Sequence, residues 1–392
     1  MKKILLFLAV LLSFQCYAQT TLIPDQNFEN YLVSEGIDTD GVVNGEVATA
    51  DIVGVTELFL QELNIEDLTG IEDFIALEVL DCSFNLELSS LDISNNIALR
   101  ELDMQFCDIS SMDFSTNVNV EYLYLAHNNL TSLSFTNNPA LETLICGNPQ
   151  IDVGPFNQIS SLDLSGAPNV LNLDVSYMFT DINLDFMQVP LLESFSGRYC
   201  AFNDLDFSLL ENLTTLFLGG TAQMGQSNNF SIIDLENNPN LQEVDVAITG
   251  VWQLNLQNGN NTILTEMRAS PNDDLYCILV DDGAAAYNGD FPYGNWEIPP
   301  TATWGEGYCE MGVEEFSSAL VSLYPNPATE LLRIDTLDNI PQSVEVYSVE
   351  GKLILAPELN DSAIDISSLA SGFYVLKIYF DTNFSTATFV KQ

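Results

Sequence analysis

From Val55 onward one apolar phrase returns ten times, opening at Val55, Leu77, Leu99, Val120, Leu141, Val170, Leu192, Leu213, Leu241 and Leu264. Apolar residues follow each opener three and five positions on, as in LEVLDCSFN (77–85), LRELDMQFC (99–107) and VEYLYLAHNNL (120–130). The spacings are 21 to 23 residues except for two, of 29 and 28, which place loop insertions near 152–161 and 219–229. A unit this short cannot bury its own apolar face. Stacked on like neighbours, it shares a continuous core with them. The in–out alternation after each opener makes a short strand, and such strands stack in parallel about 4.8 Å apart. The pattern therefore predicts a solenoid over 55–275 with one parallel sheet of about ten strands.

The phrase LxxLxLxxNxL resembles the leucine-rich repeat family, which implies a curved solenoid whose sheet forms the concave side. In that family the ninth position of each copy points inward, toward backbone groups at the turn. Here it is Asn85, Asn128 and Asn272 in three copies and Cys107 and Cys200 in two. Buried backbone polar groups need partners, which gives the position its physical purpose. The second half of each copy alternates again: LDI (91–93), MDF (112–114), LSF (133–135), LDL (162–164), LDF (184–186), LDF (205–207), IDL (233–235) and LNL (254–256). Each of these is expected to form a second short strand on the outer wall in place of a helix. Asp92, Asp113, Asp163, Asp185, Asp206 and Asp234 occupy its outward slot, a ladder of like charges relieved by hydration, or alternatively by Ca²⁺.

The formal net charge of −47 argues against nucleic acid and anionic membrane as partners. Residues 1–18, with two lysines, an apolar run and Cys16-Tyr17-Ala18 before Gln19, have the form of a secretory signal peptide too short to span a membrane. Residues 19–54 are expected to cap the first copy. A short amphipathic helix there carries Phe28, Tyr31 and Leu32. IDTDGVVNGE (37–46) is read as an acidic turn, because its glycine stands fourth where a calcium loop has it sixth. IPDxNFxxYL (23–32) with DLTGIEDF (67–74) resembles the N-terminal end of internalin-like surface proteins of the Bacteroidetes. Cys82, Cys107, Cys146 and Cys200 fall at inward positions and are expected as buried free thiols. Cys277 and Cys309, in the cap at 276–310, are expected to form a disulfide in an exported chain.

After a linker at 311–320 the rhythm changes. LYPNPATELLRI (323–334), VEVYSVEGKLIL (344–355), IDISSLASGFYVLKI (364–378) and TATFVKQ (386–392) suggest a small immunoglobulin-like β-sandwich. Tyr324-Pro325-Asn326-Pro327, the Gly351-Lys352 turn, Gly372-Phe373-Tyr374 and Lys391 occur in this order. They resemble the type A C-terminal sorting domain of the type IX secretion system. The resemblance implies delivery to the cell surface or medium, with the translocon and its surface sortase as partners of residues 321–392.

The repeat frame also nominates a binding surface. Counting each opener as one, positions 2, 3, 5, 7 and 8 face the concave side. Large rings stand there: Phe84, Phe106, Tyr177 and Tyr199 at position eight, Tyr122 and Tyr124 beside His127, and Phe217 at position five. Arg100, Arg198 and Arg268, the basic residues between Gln19 and Glu310, also fall on these positions. Arginine and aromatic residues are favoured at recognition hot spots. The competing reading is a ring ladder that stabilises the sheet. Functionally, the chain reads as a secreted or surface recognition and adhesion protein taking a protein or glycan ligand, with no resident cofactor. The alternatives are a structural surface-layer component and, further off, a secreted hydrolase. No nucleophile, zinc or phosphate-loop motif appears in the sequence, and a regular exposed sheet gives carboxylates no enclosing pocket.

Overall fold

The computed structural model describes residues 19–148, 155–180, 182–220, 228–307, 321–336, 341–348, 352–359, 362–380 and 384–392. The signal-peptide segment, Gly351 and Cys309 lie outside them. The chain divides into two compact units, Met1–Cys309 and Glu310–Gln392.

In the first unit, the strands Glu57–Phe59, Val79–Asp81, Glu101–Asp103, Tyr122–Tyr124, Thr143–Ile145, Asn172–Asp174, Ser194–Ser196, Thr215–Phe217, Glu243–Asp245 and Glu266–Arg268 form a single ten-stranded sheet. Each begins two residues after its opener, and every neighbouring pair is parallel and in register. The sheet runs through Val170 without a break, since Thr143 pairs with Asn172. The openers and the residues three positions on make one core from Leu58 to Met267.

Asparagine holds the first turn as expected. Asn128 donates through Nδ2 to the Met104 and Leu125 carbonyls at 2.8 and 3.1 Å, and its Oδ1 accepts from Ile109 N–H at 3.0 Å. Cys107 and Cys200 donate weakly in the same place, to the Cys82 and Val175 carbonyls. In the two long copies the ninth residues are Pro149 and Thr221, both outside the described residues. Beyond the insertions Asn157 and Asn228 take over, each donating to two carbonyls.

A second asparagine ladder lies three residues before the next opener. Asn96, Asn117, Asn138 and Asn238 are fully buried, and each donates to two carbonyls of the preceding copy. The sequence reading passed over it, although NNIAL, TNVNV, NNPAL and NNPNL carry the signal.

The outer wall differs from expectation. Only Ser132–Ser134, Ser161–Asp163, Ile232–Asp234 and Gln253–Asn255 among the eight alternating segments form laddered strands. All eight still bury their second apolar residue, from Ile93 to Leu256. Alternating burial orients side chains, but a strand also needs a neighbouring backbone within hydrogen-bonding distance. The aspartate ladder is likewise more than a solvated stripe. Asp92, Asp113, Asp163, Asp185, Asp206 and Asp234 each accept the backbone N–H two residues on, closing a turn.

Both ends are capped. Asp25 caps the helix Gln26–Ser34 and accepts from Glu66 and Asp67 N–H in the first copy, while Phe28 and Leu32 enter the core. The acidic turn is anchored by Glu29, whose Oε1 accepts Asn44 and Gly45 N–H at 2.7 Å. At the far end Glu297 extends the sheet edge, exchanging backbone bonds with Met267 and Ala269. Tyr293, Trp296 and Trp304 pack edge-on and tilted over the last turn. Cys277 is disulfide-bonded; its expected partner Cys309 lies outside the described residues. Cys82, Cys107, Cys146 and Cys200 are free and buried. Burial pushes the Cys200 thiol up to about 12, which keeps it protonated and unreactive.

The second unit has two antiparallel sheets. One joins Val321–Tyr324, Leu331–Thr336 and Ala363–Asp365; the other joins Leu353–Leu355, Ser343–Ser348, Gly372–Tyr379 and Phe384–Lys391. Leu332, Ile334, Val346, Ile364, Leu376 and Phe389 form a core between them.

Acid should affect the solenoid in two opposite steps. Burial holds the carboxyls of Asp103 and Asp174 above their ordinary value, so the folded state takes up protons first and stability should rise as pH falls from 7 toward 5. Turn hydrogen bonds hold Asp92, Asp113, Asp163 and Asp206 below theirs, so that contribution is lost as pH falls below the ordinary value of 3.8. Melting temperature should therefore rise as pH falls from 7 toward the carboxylate range and drop again below the ordinary carboxylate value. A melting temperature that fell steadily from pH 7 downward would contradict this.

Candidate functional site

Position eight is where the chain leaves the concave strand. Glu62, Phe84, Phe106, His127, Tyr177, Tyr199 and Ile248 all take left-handed backbone there, with φ between 53° and 60°. This takes the chain off the strand direction at that residue. Phe84 stacks on Phe106 at 4.5 Å, Phe106 on His127 at 4.1 Å, and Tyr177 lies against Tyr199 at 4.7 Å. Phe106, His127 and Tyr199 are 7%, 0% and 1% exposed. Their expected place on a solvated binding surface is thus corrected: they form the ring ladder. Phe84 is the open end of that ladder at 43% exposure, and Tyr177 is half-buried. Left-handed backbone costs roughly 1–2 kcal/mol per residue. Ring stacking returns about 0.5–1.5 kcal/mol per pair. Burial also pushes the His127 imidazole down, so it is neutral at physiological pH.

Two groups of side chains remain on the concave strands or directly beside them. The first is Arg100, Tyr122 and Tyr124. Arg100 binds Glu121 with Nη2 at 2.8 Å from both carboxylate oxygens. Tyr122 donates its hydroxyl to Glu142 at 3.3 Å. Tyr124 is half-buried and stands beside Asp103 across the register. The second group centres on Asp245, a residue the sequence reading did not single out. Its buried carboxylate receives Arg198 Nη1 at 2.7 Å and Arg268 Nη1 at 3.5 Å. Arg198 also donates to the Gly219 carbonyl at 3.3 Å and lies 4.6 Å from the Phe217 ring centre. Arg268 reaches Glu297 at 3.4 Å. Gly219 is required here, because a Cβ would lie 2.2 Å from Asp245 Oδ1. Beside this group a cleft of about 430 Å³ opens between Glu243, Glu266, Met267 and Arg268 on the strands and Asn295 and Glu297 of the cap. Burial, and then the charge of Glu266, raises the Glu243 carboxyl above its ordinary value.

The repeat alignment contained one cue to Asp245: it lies at position five between two arginines. Glu297 lies outside the repeat and had none. Among the described residues no group of three or more His, Cys, Asp or Glu side chains is placed to hold a metal ion.

In the second unit the motif residues converge. Asn326 Oδ1 accepts Val390 N–H at 2.8 Å and its Nδ2 donates to the Thr388 carbonyl at 3.2 Å. Ala328 exchanges backbone bonds with Val390 and Gln392. The segment after Tyr324 thus clamps the edge of the last strand. Gly372 pairs with Lys391, and Tyr374 stacks on Phe389 at 5.7 Å.

The first unit is, by its own strand register, a leucine-rich repeat solenoid. Residues 322–392 match the family described as the secretion system C-terminal sorting domain. The chain therefore carries a type IX sorting domain and is exported to the cell surface or secreted. Among curated proteins it is similar to ulvan lyase NLR42 of Nonlabens ulvanivorans, 22% identical over 186 residues, covering 42% of this chain and 35% of that protein. It is also similar to β-agarase D of Zobellia galactanivorans, 38% identical over 58 residues, covering 15% of this chain and 12% of the agarase. The chain thus spans about a third of the first and an eighth of the second. Among solved structures, Listeria monocytogenes InlP shows 15% identity and a TM-score of 0.41, covering 94% of this chain and 98% of that one. Internalin C2 of the same organism shows 17% identity and a TM-score of 0.38, covering 74% and 99%. No helix among the described residues is long and apolar enough to cross a membrane.

The ladder should be a stability element. Phe106→Ala should lower the unfolding free energy by about 3 kcal/mol. Phe84→Ala, at the exposed end, should cost much less. Equal losses in urea denaturation would show that stacking does not hold this edge together.

Proposed function

We propose that the solenoid is a surface recognition module that binds a protein or glycan ligand across its concave sheet once the type IX system has delivered it. The supporting observation is the Arg198–Asp245–Arg268 cluster with its Phe217 ring. Three arginines are the basic residues of the whole stretch 19–310, and two of them share one buried carboxylate on concave strands. Arg198 is partly locked by this pair, so Arg268, Phe217, Arg100, Tyr122 and Tyr124 are the contacts proposed for a ligand, with Phe84 and Tyr177 at the margin. The printed names of the two curated relatives concern polysaccharides, ulvan and agar, which favours a glycan among the ligand classes. The proposed role is binding, with no catalytic step assigned. A structural wall bridged by Ca²⁺ is the weaker reading, because the six wall aspartates already serve their own turns.

The test uses the full exported chain against arrays of glycans and proteins. Tyr124→Ala together with Arg268→Ala should weaken the captured interaction at least tenfold while the solenoid still unfolds cooperatively. Arg198→Ala is the poorer probe, since it strips the nearer partner from a buried carboxylate. Unchanged binding in the double variant would remove the concave face from consideration.

Delivery is proposed to run through residues 321–392, read by the translocon and cut away by its surface sortase, with the new end between Met311 and Leu323. A chain lacking 321–392 should accumulate in the periplasm of a type IX host. If fractionation still finds it at the surface, these residues are not the address.

A further inference from the structure

Phe217, Asp245 and Arg268 are register neighbours on three adjacent parallel strands, and a parallel bridge continues the row to Glu297 in the cap. We propose that this row, with the cleft beside it, is a subsite for a neutral, hydroxyl-rich saccharide chain. The proposal rests on the reading of the concave face as the binding surface and names the class of ligand it takes.

The row places one side chain per strand: an aromatic ring, a buried carboxylate that holds the two arginines, an exposed guanidinium and, in the cap, an exposed carboxylate. Adjacent strands lie about 4.8 Å apart. That step is comparable to the length of one pyranose ring, so an extended saccharide chain crossing the strands would reach Phe217, Arg268 and Glu297 in turn, with Asp245 beneath it. The Phe217 ring is half-buried with the Arg198 guanidinium over it, so its remaining exposed part is what a sugar's C–H groups would meet. Sugar hydroxyls both donate and accept. Glu243, Glu266 and Glu297 supply acceptors around the cleft, and Arg268 and Asn295 supply donors. Arg268 has donor capacity to spare. Its contacts to Asp245 and Glu297 are 3.5 and 3.4 Å, longer than good N–H···O bonds, and its side chain is 46% exposed. The cleft volume of about 430 Å³ lies inside the usual range for small-ligand sites.

The charges select against anionic ligands. Glu243, Glu266 and Glu297 repel a sulfated or uronic chain. A neutral polyol can pair with both kinds of group and loses less on leaving water than an ion does.

The experiment is calorimetric titration of the full exported chain with laminarihexaose, cellohexaose and neoagarohexaose, set beside hexagalacturonate and a κ-carrageenan hexasaccharide. At least one neutral hexasaccharide should bind, with less than about a twofold change in affinity between roughly 0.05 and 0.5 M NaCl, because salt screening acts little on an uncharged ligand. Arg268→Gln and Phe217→Ala should each weaken it tenfold or more, while each variant still unfolds in one cooperative transition. The subsite is overturned if no neutral hexasaccharide binds, if only the charged ones bind, or if both variants bind as the parent does. Loss in Tyr124→Ala with full binding in Phe217→Ala also overturns it and moves the site to the Arg100 group, which leaves the concave reading standing. Capture of a protein ligand that depends on Arg268, with no saccharide bound, overturns the saccharide class alone.

Discussion

Everything in the solenoid depends on satisfying the backbone carbonyls enclosed at the two turns of each copy. An unpaired buried carbonyl costs about 1–3 kcal/mol, and the cost would recur in every copy. A side-chain amide can donate twice and accept as well. Asn128 does so at the first turn, and Asn117 reaches the Ile93 and Asn96 carbonyls of the copy before it at the second. Each asparagine therefore fixes a turn and also ties one copy to the last. Where a thiol replaces the amide, as in Cys107, one weaker bond remains. Where an insertion displaces the position, Asn157 or Asn228 fills the same slot. Insertions are tolerated because they leave this bonding intact.

That stacking also creates the candidate site. Identical copies place equivalent positions in straight rows across the sheet, so one unusual residue per copy becomes a line of unlike groups. Phe217, Asp245 and Arg268 are such a line. Asp245 can be buried because two arginines meet it and because Gly219 leaves room. In so acidic a chain, placing the few cations here removes the repulsion that buried Asp245 would otherwise add and leaves Arg268 partly free. The sorting unit uses the same chemistry on a different fold. There Asn326 holds the backbone of the last strand from 62 to 64 residues away, which gives the Tyr-Pro-Asn-Pro motif a structural task at the chain's end.

Sequence alone determined the period, the register of all ten concave strands, the inward residues, the free thiols and the sorting motif. These follow from short-range rules. Alternation and spacing within one copy decide which side chains point inward, and repetition carries that decision through the solenoid. Tertiary structure alone decided that Phe106, His127 and Tyr199 are buried in a ladder, because left-handed backbone at position eight turns the chain off the strand just where the alternation still points outward. It also decided which outer segments become strands, since a ladder needs a neighbouring backbone close enough to bond. The Arg198–Asp245 pair spans 47 residues and two copies, and Glu297 comes from beyond the repeat. No pattern inside a single copy encodes such contacts, because they exist only once the copies have stacked and the cap has closed over the last of them.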